Sequence, residues 1–274
     1  MATQSGDRFL KGRVALVTGS TGYGIGRSAA LVLARAGATV IVNYGSGRSN
    51  QGSAAREALR EIARVGPKGG AIKADTKDPR QVRAMIRSIH RKYKRLDILV
   101  NNACGHWEAK PFEEIDPDHW KAVIDIEVNG PFYTMREAIP LMRRRKWGRV
   151  VNLNVFGVEH QTNPPFDYRV GKVGRMKLTQ MLLPYEIASG ITINSVSPGY
   201  IRYSLPGEAL RFARDGKEWR AREESHPHDV ARAILWLCSD DARFVTGANI
   251  TIAGNRRKES QNDYLKTLQP KGTL

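Results

Sequence analysis

The chain has 274 residues, of which 41% are hydrophobic and 26% charged, a globular composition that excludes the disordered, collagenous and disulfide-rich classes. Cys104 and Cys238 are too few and too far apart for a disulfide framework or a zinc site. No stretch approaches the roughly 20 apolar residues of a membrane span and the N-terminus has no signal-like apolar run, so a reducing, cytoplasmic setting is expected. Lys and Arg number 44 against 27 Asp and Glu, and the resulting +17 attracts anions (nucleic acid, phosphorylated cofactors or acidic partners) without choosing among them.

Short β-branched runs follow one another along the chain: VALVT at 14–18, TVIVNY at 39–44, AIKAD at 71–75, LDILVN at 96–101, RVVNLN at 149–154, TINSVS at 192–197 and NITIAG at 249–254. Amphipathic segments lie between them. Val82, Met85, Ile86, Ile89 and Tyr93 recur at helical spacing after Asp78 and Pro79, a cap and a first-turn proline. Strand and helix in alternation predict an α/β fold, a single doubly wound sheet of seven parallel strands with helices on both faces. The strands read as nearly continuous apolar runs, as double-sided burial requires. There is no internal repeat. The expected organisation is an N-terminal extension over 1–11, one domain over 12–254 with a lid at about 204–226, and a polar tail over 255–274.

After the first run comes TGSTGYGIG at 18–26, leading into a helical SAALVLARAG. Glycines here let the backbone turn tightly and approach a pyrophosphate, whose charge meets the free N–H groups of a helix start. Selection of NAD usually rests on an Asp or Glu about 20 residues on. That place reads Asn43, Tyr44, Gly45, with no acid before Glu57, while Arg48 in the loop and Arg27 at the helix start either pair with a 2′-phosphate or are solvated surface residues. NADP(H) is therefore the expected cofactor. Tyr168 and Lys172, four apart at a helix start, share one face, where an ammonium favours the phenolate and makes the phenol a proton donor for a carbonyl oxygen.

With these two motifs together the chain resembles the classical short-chain dehydrogenase/reductase family over residues 12 to about 254, and is most similar to its ketoacyl reductases. Asp75 resembles the family's adenine-contacting Asp, Asn101-Asn102-Ala103 its NNAG segment, and Ser197-Pro198-Gly199 its PG turn beside the nicotinamide. The resemblance implies a Rossmann-type fold and a cofactor held by the glycine loop through Gly19, Ser20, Thr21, Tyr23, Gly24, Ile25, Gly26 and Arg27. It implies further contacts from Tyr44 and Arg48, from Asp75 and Thr76, and from Asn102 and Ala103. Tyr168 and Lys172 complete the nicotinamide end with Pro198, Gly199 and Ile201.

Departures from the family pattern are specific. The loop carries one extra residue, with hydroxyls at Ser20, Thr21 and Tyr23 able to bond phosphate. Asn154 stands where the family has its catalytic Ser, Glu127 where it has an Asn, and Cys104 replaces the Gly of NNAG, so the implied tetrad reads Glu127, Asn154, Tyr168, Lys172. An Asn amide can donate to a substrate oxygen as a hydroxyl does. Glu127 is expected either to pair with Lys172, to continue a proton relay, or to be a partly buried helix residue without further role.

The expected activity is NADPH-dependent reduction of a ketone with Tyr168 as proton donor. The alternatives are a redox-neutral isomerase, cyclase or lyase on the same fold, and a non-catalytic binder of NADP or nucleic acid. Nucleic acid is disfavoured because basic residues are scattered and only Arg143 to Lys146 form a run. Phe156, Phe166, Tyr200 and Tyr203 point to a bulky substrate or to packed loops. Arg211, Arg214, Lys217, Arg220 and Arg222 of the lid, with Arg175 and Lys177, predict a positive entrance for an anionic or carrier-protein-linked substrate, unless Glu208, Glu218, Glu223 and Glu224 offset it. None of the six histidines has metal spacing; His226 and His228 read as loop and helix cap, and His106 and His160 as solvent-facing. The family resemblance implies a homodimer or homotetramer through helices at about 117–145 and 168–187.

Overall fold

In the computed structural model, which describes residues 8–45, 50–160, 164–221 and 224–253, the strands are β1 (Val14–Val17), β2 (Thr39–Tyr44), β3 (Gly70–Lys73), β4 (Ile98–Asn101), β5 (Gly148–Leu153), β6 (Ile191–Pro198) and β7 (Asn249–Ile252). They form one parallel sheet in the order β3-β2-β1-β4-β5-β6-β7. The order reverses between β1 and β4, and in such sheets the crevice at the strands' C-terminal ends beside that reversal receives the ligand. The helices are α1 (Ile25–Arg35), α2 (Gln51–Ala63), α3 (Pro79–Tyr93), α4 (Pro117–Ile124), α5 (Gly130–Arg143), α6 (Phe166–Glu186), α7 (Glu208–Arg214), α8 (Gly216–Arg220) and α9 (Pro227–Leu237).

The predicted strands are all present. The apolar-run reading holds for β1, β4, β5 and β6, every residue of which is buried, and for the four central residues of β2; β3 and β7, at the sheet edges, are half-exposed. Two apolar clusters cover the two faces, one built on α1 and α9, the other on α3 and α5. Across the middle of the sheet runs a buried polar chain that the strand pattern conceals. Thr134 donates to Asn101 at 2.7 Å, Asn101 to Asn152 at 2.8 Å and Asn152 to Thr179 at 2.8 Å, so these asparagines are satisfied without solvent.

Helix starts follow the local chemistry. Asp78 accepts from the Arg80 N–H ahead of Pro79 and His226 caps α9, as the sequence leads one to expect; the structure adds Asp116 capping α4 ahead of Pro117 and a capping box between His226 and Asp229. The helix expected over 117–145 is not uniform: between α4 and α5 the residues Asp125–Asn129 form a π-helical turn. Of the expected lid, α7 and α8 are formed; Arg222 and Glu223 lie outside the described residues, as do Arg48, the tail over 255–274 and the first seven residues of the extension.

Candidate active site

The glycine loop closes against the end of β4. Gly19 has φ +60° and a side chain there would stand 2.9 Å from the Ala103 Cα; one at Gly26 would lie 2.5 Å from the Asn102 amide nitrogen. Asn102 donates to the carbonyls of Thr18 and Gly19 at 2.9 Å, and the Thr18 hydroxyl accepts from the N–H groups of Asn102 and Ala103 at 3.0 Å. Asn102 and Ala103 therefore brace the loop from below. Asn43 braces it from β2, accepting from the Gly19 N–H at 3.3 Å and donating to Ala74 O at 3.0 Å. Asn43 is buried and Tyr44 half-buried, so the end of β2 carries no acid. α1 begins without a side-chain cap and without an acid in its first turn, an arrangement that fits an anion at its N-terminus.

The loop hydroxyls and Arg27 do not have the freedom expected of them. Ser20 is buried and donates to Val17 O at 2.8 Å, and the Tyr23 hydroxyl bonds Glu57 at 3.0 Å. Arg27 is 1% exposed, pairs with Glu61 at 2.8 Å, and donates to the carbonyls of Thr21 and Ala54. It ties the loop to α2 and is no open partner for a phosphate. The reason is register: α2 brings Glu57 and Glu61 on one helical face against the start of α1, a contact that sequence separation hides. Asp75 and Thr76 follow β3, Asp75 part-exposed beside Lys77 and Thr76 buried against Gly130. Pro198 accepts from the Phe156 N–H at 2.9 Å, the Gly199 N–H donates to Ile252 O at 2.9 Å, and Ile201 packs on the α1 cluster. The segment after β6 also reaches the loop, with the Ser204 N–H donating to Tyr23 O at 2.8 Å and the Tyr203 ring beside Gly24.

Tyr168 and Lys172 lie on consecutive turns of α6, the Lys172 ammonium 5.0 Å from the centre of the Tyr168 ring; Trp107 stacks on that ring at 5.4 Å. Lys172 is 2% exposed and donates to Leu153 O at 3.0 Å. Glu127 is fully buried and bridges two cations, Lys172 at 2.9 Å and Arg175 at 2.7 Å. Of the three roles considered for Glu127, the structure has the ion pair.

Arg175, expected at a positive entrance, is instead buried. Its side chain has no exposure, and its guanidinium donates to the carbonyls of Glu127 (2.8 Å), Leu153 (2.8 Å), Ala103 (3.2 Å) and Ile126 (3.3 Å). The π turn explains the position: widening the helix frees carbonyls from their regular partners, and the planar fork fills that gap. Close approach of α6 to this turn depends on Gly171, where a side chain would meet the Glu127 Cβ at 2.6 Å. The glycine between Tyr168 and Lys172 was the available signal for this contact.

Electrostatics follow from the burial. Desolvation alone would raise the Glu127 carboxyl, yet Arg175 and Lys172 hold it below the ordinary carboxylate value. Burial, with Arg175 adding to it, lowers the Lys172 ammonium, and Glu127 opposes that fall. Cys104 keeps accessible surface but is crowded by protein on its inner side; that desolvation and the nearby Glu127 push its thiol up to about 12, so it remains a neutral thiol. Asn154, directly after β5, is 2% exposed, and among the described residues neither its amide nitrogen nor its amide oxygen has a hydrogen-bond partner. An unsatisfied buried amide is costly, which suits a position that meets a ligand's polar atom.

Phe156, Tyr200 and Tyr203 are 45%, 54% and 77% exposed, and Phe166 meets Phe112 edge-on at 5.8 Å. His106 and His160 are solvent-facing. Among the described residues no group of three His, Cys, Asp or Glu could hold a metal, and no helix is long and apolar enough to cross a membrane.

The profile of the enoyl-(acyl carrier protein) reductase family matches residues 20–254. The chain is 32% identical over 250 residues to the short chain dehydrogenase/reductase astE of Aspergillus oryzae, covering 89% of this chain and 94% of that protein. It is 33% identical to the cyclohexanol dehydrogenase of an Acinetobacter species (88% and 94% covered) and 32% identical to the 3-oxoacyl-[acyl-carrier-protein] reductase FabG of Staphylococcus aureus (88% and 96%). A crystal structure described as a short-chain alcohol dehydrogenase from Sinorhizobium meliloti superposes with a TM-score of 0.76 at 28% identity, covering 90% of this chain and 96% of that one.

Proposed function

The chain belongs to the short-chain dehydrogenase/reductase family of oxidoreductases, and from that premise we propose that it reduces the carbonyl of a bulky ketone to an alcohol with NADP(H). The observation that carries the proposal is the buried Glu127–Lys172–Arg175 cluster directly behind Tyr168, at the crevice that the glycine loop borders.

Gly24, Ile25 and Gly26 would hold the pyrophosphate through backbone N–H groups, with Gly19, Asn43, Asn102 and Ala103 keeping the loop in place, and Pro198, Gly199 and Ile201 would border the nicotinamide. A nicotinamide held there would provide the reducing equivalent for the carbonyl carbon. Tyr168 gives its phenolic proton to the carbonyl oxygen, and Lys172, one turn on, supports the developing phenolate by charge. The Asn154 amide nitrogen donates to the same oxygen and orients it. Glu127 and Arg175 touch no reacting atom; they fix the position and charge of Lys172.

Preference for the 2′-phosphate is supported by Asn43 and Tyr44, which put no carboxylate at the end of β2; Arg27, tied to Glu61, does not add to it. Exposed aromatic side chains at Phe156, Tyr200 and Tyr203 favour a bulky carbonyl compound. Association through α6 is supported by Val170, Val173, Met181 and Tyr185, all at least 43% exposed on one helix. The testing experiment measures dissociation constants for NADPH and NADH side by side, then NADPH absorbance with a panel of cyclic and acyl ketones. Equal or tighter NADH binding removes the cofactor assignment, and product formation without NADPH loss moves the reading to redox-neutral chemistry. A single-chain mass by light scattering at micromolar protein would remove the oligomer.

A further inference from the structure

Several of the lid cations expected at the entrance face elsewhere. A cavity of about 880 Å³ lies between the C-terminal half of α1, helices α7 and α8, and α9. Because α1 runs back from the glycine loop between two parallel strands, its last turns lie at the N-terminal ends of the strands, and this cavity is separate from the crevice at their C-terminal ends. Arg214, Lys217 and Arg220 of the lid line it, together with Arg35 of α1 and Arg232 of α9.

Three of these guanidinium groups, those of Arg35, Arg220 and Arg232, border one cavity. Burial lowers the Arg232 side chain from its ordinary value, and both Arg220 and Arg35 lower it further. Arg220 and Arg232 both stand 5.7 Å from the centre of the Trp219 ring, so one indole neighbours two cations. Arg35 donates to Arg214 O at 2.9 Å. Among the described residues, no carboxylate makes an ion pair with Arg35, Arg220 or Arg232. The nearby acids serve other groups: Asp215 caps α8, Asp229 accepts from the Trp219 indole at 2.9 Å, and Asp240 stands 3.3 Å from Arg149; Asp241, also on the lining, is exposed.

Repelling cations held together around a space of ligand size are a cost that an anion removes. We infer that this cavity is a second binding site, for a small molecule carrying two or more phosphate charges, gripped by Arg35, Arg220 and Arg232. Trp219 and the half-exposed Trp236 form apolar wall beside that charge.

The test titrates inorganic pyrophosphate by calorimetry into the full chain and into the double variant Arg220→Gln, Arg232→Gln. The glycine loop is identical in both proteins, so pyrophosphate bound there contributes equally, and the difference reports the far cavity. Loss of two charge-assisted partners is expected to weaken the additional site at least about tenfold. Without pyrophosphate the double variant is expected to melt no lower than the parent chain, because repulsion is relieved. Arg214→Gln with Lys217→Gln, on exposed side chains, is a second variant that keeps the fold and is expected to weaken the same site by about threefold through lost long-range attraction. Indistinguishable titrations of parent and both variants overturn the proposal. So does a lower melting temperature of the ligand-free double variant, which would make the arginines structural.

Discussion

Replacing Glu127 by glutamine keeps the shape of the side chain and deletes the carboxylate that lies between Lys172 at 2.9 Å and Arg175 at 2.7 Å. Both cations are buried, so the substitution leaves them facing each other without a counter-charge. Breaking a buried pair this way costs about 3–5 kcal/mol. At about 2–4 °C per kcal/mol for a chain of this size, Tm should fall by roughly 6–20 °C in thermal unfolding at neutral pH. Glu127 titrates below its ordinary value in the folded chain, so its contribution is fully present above that value and lost as pH falls through the lowered one. The Tm difference between the two proteins should therefore shrink in acid. Glu127 is also what opposes the lowering of Lys172, so in Glu127→Gln the ammonium deprotonates at lower pH, and the alkaline limb of the rate profile should move down. Lys172→Met should be destabilising alone, yet in the double variant the losses should not add, with a coupling of about 0.5–3 kcal/mol. A Tm within 2 °C of the parent for Glu127→Gln, or additive effects in the double variant, would refute the reasoning, since a solvated carboxylate behaves in that way.

Tyr168→Phe should lower the rate by about 10²- to 10⁴-fold while the dissociation constant of the cofactor is kept, measured by fluorescence titration. Asn154→Ser, which places a hydroxyl where the buried amide has no partner, should keep or raise ketone reduction in a steady-state assay; a collapse would show that the larger amide is needed. Gly26→Ala drives a methyl to 2.5 Å from the Asn102 amide nitrogen and to 2.9 Å from Gly19 O, so cofactor affinity should fall at least tenfold in the same titration. Glu208, on α7, is held at about 2 by the hydrogen bonds from Arg202, against its ordinary 4.5; its stabilisation of the lid is complete above 4.5 and lost as pH falls toward 2. Limited proteolysis of 204–226 should accelerate over that range, and Glu208→Gln should be susceptible already at neutral pH.

The sequence by itself determined the number and parallel direction of the strands, because β-branched runs alternating with 3.6-periodic segments have few ways to bury both faces. It also determined the glycine loop and the Tyr168–Lys172 pair, since each is a short-range pattern whose geometry follows from adjacent residues. What it left open are contacts between elements far apart in the chain. Arg27 and Arg175 read as free surface cations because Glu61, 34 residues away, and Glu127, 48 residues away, become their partners only when helices pack. The π turn at Asp125–Asn129 has no composition signal, yet it turns Glu127 inward and gives Arg175 its carbonyls. The lid cations carry the same charge in either place. Only the path of α1, which ends at the N-terminal ends of the strands away from its loop, decides that Arg220 lines a separate cavity with Arg35 and Arg232, apart from the crevice beside Tyr168.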